Sequence, residues 1–444
     1  MDHGVKLRTS WFFPLISYKY NDHQYENVIY LKATFKMSKN RFVSSVILFA
    51  SLILISGCIS LKNKDLFEDS WVGTWGSAQQ LVEPHNNPPE PGLSNNTLRQ
   101  IVRVSIGGDE LRLHLSNEFS KSSIKLNMVT VAPHIENSTI DLSSQKKLKF
   151  NNQYTVEIPA FESITSDPIK FNLAPNSRLA ITIHFDETPN DLTGHPGSRT
   201  TSFLLEGDNH LSQTFENSVE TDHWYVIKGI DVPHVKESAS LVVLGNSITD
   251  GRGSGTNKQN RWTDILSEEL LRNPATEKVG VLNMGIGGNC VLRGGLGPTA
   301  LNRFESDVLS QSNVRWLIIL EGINDIGGIN KAEDAPIIAN DLINAYKRMI
   351  DLAHEKGIKV YGATILPFAK SFYDNEYRQN ARDIVNDWIR NSNSFDAVID
   401  FDKIMQNPDD PKTILPNLHD NDFLHPNEEG YQKMGRSIDL SLFK

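Results

Sequence analysis

Cysteine is nearly absent from this chain: only Cys58 and Cys290 occur in 444 residues. At most one disulfide could form, so a fold held together by several bridges is excluded. No grouping of His, Cys and Asp has the spacing of metal ligands, and no G-x-G-x-x-G dinucleotide motif follows the first strand of the parallel sheet predicted below. We therefore expect neither a catalytic metal nor another cofactor.

Positive charge is also scarce. Lys and Arg number 44 against 54 Asp and Glu, a net charge of -10, and no long basic run follows the first quarter of the chain. Because phosphate binding needs clustered cations, nucleic acid is excluded as a partner. The hydrophobic fraction of 39% and the charged fraction of 22% are ordinary for a soluble globular protein.

The apolar run from Phe42 to Ile55, about 14 residues, is too short for a comfortable membrane span. Lys39 and Arg41 precede it and Ile55-Ser56-Gly57-Cys58 ends it, the arrangement of a secretory signal. The last four residues resemble the lipobox of bacterial lipoproteins. That resemblance implies export to the bacterial cell envelope, on the outer membrane or cell surface or facing the periplasm, with lipid on Cys58 as a membrane anchor. The alternative is a plain signal peptide or a short core helix.

Signals stand at the start of a chain, and Met37 lies just before this one. We therefore interpret residues 1–36 as an upstream extension. The predicted segments are the extension with its lipoprotein signal peptide (1–57), a tether (58–74), a β-sandwich domain (75–236) and an α/β domain (237–444).

Strand patterns dominate the first half. Apolar and polar residues alternate from about Leu98 to Val232, which is typical of strands with one buried face. Gly107-Gly108-Asp109 predicts a hairpin turn between two of them. With no long amphipathic helix in the pattern, we expect an all-β sandwich with jelly-roll-like topology.

The hydrophobic pattern of the sequence changes near residues 233–240, where strand-like and helical runs begin to alternate. The clearest helix is Ala332 to Lys356, with Gly357 in the usual position after its end. Alternation of this kind predicts an α/β fold with a parallel sheet covered on both faces. Its predicted strands are Ala239–Leu244, Lys278–Met284, Val314–Leu320, Lys359–Thr364 and Ala397–Asp400.

Chemistry-bearing residues follow three of these strands. Gly245-Asn246-Ser247 comes after the first strand, a loop containing Gly287 and Gly288 after the second, and Asn324 shortly after the third. In open α/β sheets ligands bind at this edge, so Ser247 is a candidate nucleophile. The glycine loop can present N–H donors, and the Asn324 amide can donate to a carbonyl oxygen that becomes negative.

Asp422-Phe423-Leu424-His425 lies near the C-terminus. A turn of that length brings both polar side chains to one side, where Asp422 can orient His425 and His425 can take the proton of Ser247. Each motif alone is weak, but the order serine, glycine loop, asparagine, Asp-x-x-His favours a catalytic site.

On these motifs, residues 239–444 resemble the SGNH, or GDSL, hydrolases, and the upstream Trp71–Ala78 stretch resembles secreted two-domain members. The resemblance implies a flavodoxin-like three-layer α/β/α SGNH hydrolase domain and ester hydrolysis through an acyl-serine. It assigns catalysis to Ser247, Asp422 and His425, and an oxyanion hole to Ser247, Gly288 and Asn324, with Gly287 as the alternative to Gly288.

One departure is Asn246, where the family usually has Asp, and we expect altered hydrogen bonding in the turn rather than lost activity. The favoured function is O-deacetylation of carbohydrate by a serine esterase, with a polysaccharide or small-molecule ester as the partner. The alternatives are a short-chain lipase or arylesterase, and a non-catalytic surface glycan-binding lipoprotein.

Other residues compete for roles. His419 could replace His425 as the base, although Asp422 with His425 fits the spacing better. His195 could reach the site, but a surface loop is the commoner place for such a histidine. Cys290 has no separate histidine motif and is not expected to be a nucleophile. Three arginines could bind an acidic substrate or be solvated: Arg252, Arg261 and Arg293.

Overall fold

A computed structural model describes residues 70–444. The predicted extension and signal peptide, the lipidation site Cys58 and the tether as far as residue 69 lie outside the described residues. The first strand begins at Trp71, so residues 71–74, which the prediction placed in the tether, are part of a strand. In the described part, no helix is both long and apolar enough to cross a membrane.

Residues 71–233 form a strand-rich region. Its strands are β1 (Trp71–Gly76), β2 (Gln80–Leu81), β3 (Thr97–Arg103), β4 (Gly108–Ser116), β5 (Ile124–Glu136), β6 (Thr139–Ile140), β7 (Lys146–Lys147), β8 (Val156–Ile158), β9 (Ser163–Thr165), β10 (Ile169–Leu173), β11 (Arg178–Phe185), β12 (Thr193–His195), β13 (Ser202–Leu205), β14 (Val219–Thr221), β15 (Trp224–Tyr225) and β16 (Ile227–Pro233). Short 3-10 turns occur at Pro84–Asn86 and Leu142–Ser144.

Residues 239–444 are mixed α/β. Their elements are β17 (Ala239–Gly245), α1 (Ser247–Asp250), α2 (Trp262–Arg272), β18 (Val279–Gly285), α3 (Ala300–Phe304), β19 (Val314–Leu320), α4 (Ile323–Gly327), α5 (Asp334–Glu355), β20 (Lys359–Ala363), α6 (Glu376–Asn391), β21 (Ala397–Ile399), α7 (Phe401–Met405), β22 (Gln406–Asn407), β23 (Asp410–Ile414) and α8 (Glu428–Arg436). A π-helical turn covers Glu305–Leu309 and a 3-10 turn Leu440–Phe443.

Two antiparallel sheets organise the strand-rich region. One has the order β14-β13-β3-β11-β5-β6 and the other β1-β16-β4-β10. Alternate side chains of both sheets enter one core, where Leu98 and Ile181 of the first sheet join Leu113 and Ile230 of the second. Since each strand buries one face in this way, the period-two pattern of the sequence is explained.

The predicted hairpin at Gly107-Gly108-Asp109 is wrong. β3 pairs with β11 and β13, whereas β4 pairs with β16 and β10, so the turn joins strands of different sheets. The alternating pattern shows that a strand has a buried face, but it does not identify the strand's partner.

A parallel sheet with the order β18-β17-β19-β20-β21 is the centre of the α/β region. Each predicted strand agrees with the observed bounds to within one residue, and α5 lies inside the predicted helix. β17 is buried along its whole length, as its continuous apolar run predicts. Because β17 lies between β18 and β19, the loops after these three strands emerge side by side.

Helices cover both faces of this sheet. Leu241 and Val243 pack in a core with residues of α2 and α8, such as Leu266 and Met434. The alternate residues Val242 and Leu244 instead enter a second core with residues of α5 and α6. Burying a side chain of this size contributes about 1.5–3 kcal/mol to the stability of the fold. Because β17 buries residues on both faces, the two cores hold it in place, and with it the position of its carboxyl end.

The strand-rich region packs directly on the parallel sheet through β1 and β18. Ser77, just after β1, forms a parallel bridge with Asn283 of β18. A Cβ on Gly280 would lie 2.0 Å from the carbonyl oxygen of Gly73, so the two backbones meet where no side chain fits. The Gly73 N–H also donates to Ser240 Oγ at 2.9 Å. The two regions are therefore parts of one compact unit.

Gly280→Ala should lower the free energy of unfolding by about 1–3 kcal/mol, because β1 must move away from β18 to admit the methyl group. Urea denaturation would measure the loss. Gly328→Ala is the matched control, since a Cβ there meets nothing nearer than 3.4 Å. Equal stability of the two variants would contradict the close approach of β1 and β18.

Candidate active site

Ser247 is the first residue of α1, immediately beyond the end of β17. Asn246 caps this short helix, because its Oδ1 accepts from the Ile248 N–H at 3.1 Å. The Ser247 carbonyl accepts from the N–H groups of Gly251 and Arg252, both at 2.9 Å. These bonds hold the Ser247 side chain, which is 7% exposed, at the carboxyl edge of the sheet.

Ser247, His425 and Asp422 form a continuous hydrogen-bonded chain. Ser247 Oγ lies 2.8 Å from His425 Nε2, and His425 Nδ1 lies 2.6 Å from Asp422 Oδ2. A carboxylate only accepts, so Nδ1 carries the proton and Nε2 is left to accept from the serine hydroxyl. Residues separated by 178 positions in sequence thus meet in the order that the Asp-x-x-His motif predicts.

The carboxylate of Asp422 is fixed by its own turn. Its Oδ1 accepts from the N–H groups of Leu424 and His425, both at 2.9 Å. Burial alone would raise the pKa of Asp422, but the hydrogen bonds from His425 and from these two N–H groups lower the pKa well below its usual value. Asp422 is therefore ionised at any pH near neutral, facing the ring that it orients.

Gly288 and Asn324 border the same cleft as Ser247 and His425. The Asn324 side chain has a defined orientation, because its Nδ2 donates to the Asn289 carbonyl at 2.7 Å and its Oδ1 accepts from Tyr373 Oη at 3.0 Å. One amide hydrogen is committed to Asn289, and the other is left for the cleft. Gly288 has φ of +69°, a conformation that favours glycine.

Asn246 also contacts a buried acid. Its Nδ2 donates to Glu321 Oε2 at 3.1 Å. Burial raises the pKa of Glu321 to about 8, although Arg303 lies nearby. The amide of Asn246 therefore donates to a buried acid that keeps its proton up to about pH 8. Asn246 thus links this turn to Glu321, and the expectation that its replacement of Asp leaves activity intact stays a prediction.

His195 belongs to the cleft wall, and its expected place on a surface loop is wrong. It ends β12 and is 4% exposed, with Nδ1 2.8 Å from the Ala78 carbonyl and Nε2 2.9 Å from Asp250 Oδ1. Both ring nitrogens of His195 therefore face hydrogen-bond acceptors. Burial opposes ionisation of Asp250, but His195 lowers its pKa below the usual value. His195, from the strand-rich region, thus holds Asp250, the last residue of α1, in place.

A cleft of about 490 Å³ opens onto Ser247. One wall comes from the α/β region and the other from the strand-rich region. The strand-rich residues that line it are Gln80, Glu83, Asn86, His195, Pro196, Gly197, Arg199 and His223. Sequence reasoning missed most of these, because nothing local in the pattern marks which loops of one region approach the other.

The remaining competitors lie in different places. His419 stacks on Phe423 with ring centroids 4.2 Å apart and makes no hydrogen bond to Ser247 within the described residues. Arg261 is 6% exposed and donates to the backbone of Asp250 and Ser198. Burial raises the pKa of Cys290 to about 12, which makes it a poor nucleophile. Arg293 is exposed and lines a neighbouring pocket.

Glu321→Gln should remove a pH dependence of stability. Because the folded-state pKa of about 8 lies above the ordinary 4.5, the folded protein keeps this proton more tightly. The contribution of Glu321 is therefore most favourable below pH 4.5, is lost as the pH rises, and is constant above pH 8. Melting temperatures from pH 5 to 9 should fall more steeply for the wild type than for Glu321→Gln. Glu355→Gln, at an exposed position, is the control and should keep the wild-type slope.

Comparison with known proteins gives a family match for most of the α/β region. Residues 243–433 match the model of the GDSL-like Lipase/Acylhydrolase family. A comparison with curated protein sequences found no match.

Three solved structures illustrate the similarity. A lipolytic protein of the G-D-S-L family from Desulfitobacterium hafniense is 22% identical over 45% of this chain and 97% of its own, with a TM-score of 0.35. A GDSL-like lipase from Bacteroides thetaiotaomicron is 22% identical over 47% and 89%, with a TM-score of 0.35. An acetyl xylan esterase is 21% identical over 45% and 96%, with a TM-score of 0.34. Likeness at this level says nothing about substrate.

The family match, together with the motifs at Ser247, Asn324 and His425, identifies residues 243–433 as a GDSL-like lipase/acylhydrolase domain.

Proposed function

We propose that this protein is a serine esterase that works through an acyl-serine intermediate. The observation that carries the proposal is the hydrogen-bonded chain from Ser247 Oγ through His425 to Asp422. His425 takes the proton of Ser247 as the hydroxyl attacks the ester carbonyl, and returns it to the leaving alcohol. A water molecule, activated by the same imidazole, then releases the acid and restores the serine.

The oxyanion hole in this proposal consists of the N–H groups of Ser247 and Gly288 and the side-chain amide of Asn324. Neither N–H donates to another described residue. The Asn324 amide is held by Asn289 and Tyr373, so little reorganisation is needed as negative charge develops.

We also propose the finer architecture. The sheet order, in which the second strand along the chain flanks the first and the third to fifth follow on the other side, is that of flavodoxin-like folds. Cores on both faces of the sheet support a three-layer α/β/α hydrolase domain at 237–444. Two sheets sharing one core support a β-sandwich at 75–236, for which jelly-roll topology is the proposed form.

For the substrate we propose carbohydrate O-deacetylation. A cleft of about 490 Å³ is far larger than an acetyl group and leaves room for a sugar-sized alcohol. The exposed aromatic ring of Phe372 lies at this cleft and offers an apolar face to a sugar ring. The lipobox-like segment ending at Cys58 supports export and anchoring at the cell envelope, where acetylated polysaccharide occurs.

Ser247→Ala should abolish turnover of p-nitrophenyl acetate, because no other hydroxyl occupies the acceptor side of His425 Nε2 in the described residues. The matched control is Ser163→Ala, at an exposed position of β9, which should keep the wild-type rate. Equal rates for Ser247→Ala and the wild type would remove the esterase proposal.

Asn324→Ala should lower kcat by about a hundred- to a thousand-fold, the usual effect of losing one oxyanion donor. Steady-state kinetics with p-nitrophenyl acetate separate kcat from KM. A change confined to KM would mean that Asn324 binds the ground state and does not stabilise the transition state.

A further inference from the structure

Two arginines line the cleft beside Ser247 and His425. Arg252 follows directly on the turn that ends α1, and Arg199 comes from the loop after β12 in the strand-rich region. They reach the cleft from opposite regions of the chain. Their surroundings leave both guanidinium groups short of acceptors.

Arg252 has a fixed backbone and an unpaired side chain. Its N–H donates to the Ser247 carbonyl at 2.9 Å, and its carbonyl accepts from Tyr431 Oη at 2.6 Å. The backbone is thus tied to the nucleophile itself. The side chain is exposed and makes no ion pair or hydrogen bond with the described residues.

Arg199 is held in an unusual conformation, with φ of +50°, and its carbonyl accepts from the Asn257 N–H at 3.0 Å. Non-glycine residues at positive φ are concentrated at functional sites. Its Nη2 lies 3.6 Å from Asp250 Oδ2, which is longer than a hydrogen bond. Its Nε is buried with no hydrogen-bond partner in the described part of the protein. A buried donor of this kind calls for an acceptor.

The acids of the same cleft, in contrast, are already occupied. Asp250 Oδ1 accepts from His195 at 2.9 Å. Glu83 accepts from Gln80 at 2.6 Å and from Asn86 at 3.0 Å. Among the Arg, Asp and Glu side chains that line the cleft, the free hydrogen-bonding capacity is therefore that of the arginines, in a chain whose net charge is -10. A protein with a net negative charge does not attract anions over its whole surface. The two arginines are therefore a local exception in this cleft.

We propose that Arg199 and Arg252 bind a carboxylate carried by the ester substrate. This inference rests on the proposed esterase function and narrows its substrate class to acidic esters, of which O-acetylated uronate sugars are an example. A guanidinium matches a carboxylate through two parallel hydrogen bonds, and the pairing leaves the carboxylate chemically unchanged while the acyl–oxygen bond is cleaved.

Initial rates on matched esters test the inference. The wild type is assayed with acetylated polygalacturonate against acetylated xylan of equal acetyl content, and with p-nitrophenyl hemisuccinate against p-nitrophenyl acetate. We expect kcat/KM at least tenfold higher for the acidic member of one pair, with a preference that shrinks in 0.5 M salt. The first pair places the carboxylate on the alcohol part of the ester and the second on the acyl part. Equal kcat/KM within both pairs would overturn the subsite.

Arg199→Gln and Arg252→Gln assign the preference to these residues. Each should lower kcat/KM for the preferred acidic ester about 10- to 100-fold more than for its neutral partner. Arg348→Gln, at an exposed position of α5 that does not line the cleft, is the control and should keep the full preference. Denaturation curves establish that the variants fold, and Arg252→Gln serves alone if the loss of Arg199 unfolds the protein. A preference retained in the foldable variants would overturn the assignment.

Binding to Ser247→Ala separates this inference from the proposed function. Calorimetric titration with an oligogalacturonate should show binding to Ser247→Ala and at least tenfold weaker binding to Ser247→Ala/Arg252→Gln. Turnover of p-nitrophenyl acetate without any carboxylate preference or oligogalacturonate binding would end the subsite and leave the esterase. Binding without turnover of any ester would end the esterase and leave a carboxylate-binding cleft.

Discussion

The guanidinium of Arg303 is the contact on which the geometry of the site depends. It is 2% exposed and donates to the carbonyls of Gly245 and Met284, at the ends of β17 and β18, at 3.0 and 2.6 Å. It also donates to the Asn289 side chain and pairs with Asp307 at 2.9 Å. The planar guanidinium thus gives these buried backbone acceptors further hydrogen bonds, and the Gly245 carbonyl also accepts from the Ile286 N–H at 3.0 Å. Arg303 therefore bridges the ends of β17, which precedes the serine, and β18, which precedes the glycine loop, in addition to the backbone pairing of the two strands.

Around this anchor, each polar group of the site is positioned by a second one. Asp422 orients His425, Tyr373 orients Asn324, and Glu321 receives the amide of Asn246. The carboxylate of Asp325 accepts from the N–H groups of Val291 and Leu292, which ties α4 to the loop that contains Gly288. Catalytic geometry is expected to tolerate little movement, and this density of buried hydrogen bonds restricts movement without requiring a large apolar core at the sheet edge.

Much of this could be predicted from sequence where the signal is local. The parallel strands are continuous apolar runs and α5 has helical periodicity, so their bounds were predicted closely. The short spacing of Asp422 and His425 predicts that they meet, because a turn of that length brings both side chains to one side. Strand pairing in the first half was harder. The partners of β3 and β4 lie tens of residues away, and alternation does not encode which partner a strand selects.

The positions of His195 and Arg199 could not be predicted for the same reason. Each depends on how the strand-rich region packs against β18, a close contact at Gly73, Gly76 and Gly280 that the sequence marks only by glycines. The role of Arg303 was not predicted, because the local sequence around a buried arginine in a helix does not differ from that around an exposed one. Its role becomes visible only when the acceptors that surround it are known.

Because the two walls of the cleft come from different regions, sequence changes in one wall can occur without changes in the other. Ser247, Gly288 and Asn324 lie at the edge of one sheet, whereas Arg199 and its neighbours lie on loops of a region that has its own core. Insertions or exchanges in those loops alter what the opposite wall presents and leave the hydrogen-bonded serine in place. A lineage built on this plan can diversify its ligands by remodelling one half of the molecule while the other half stays constant.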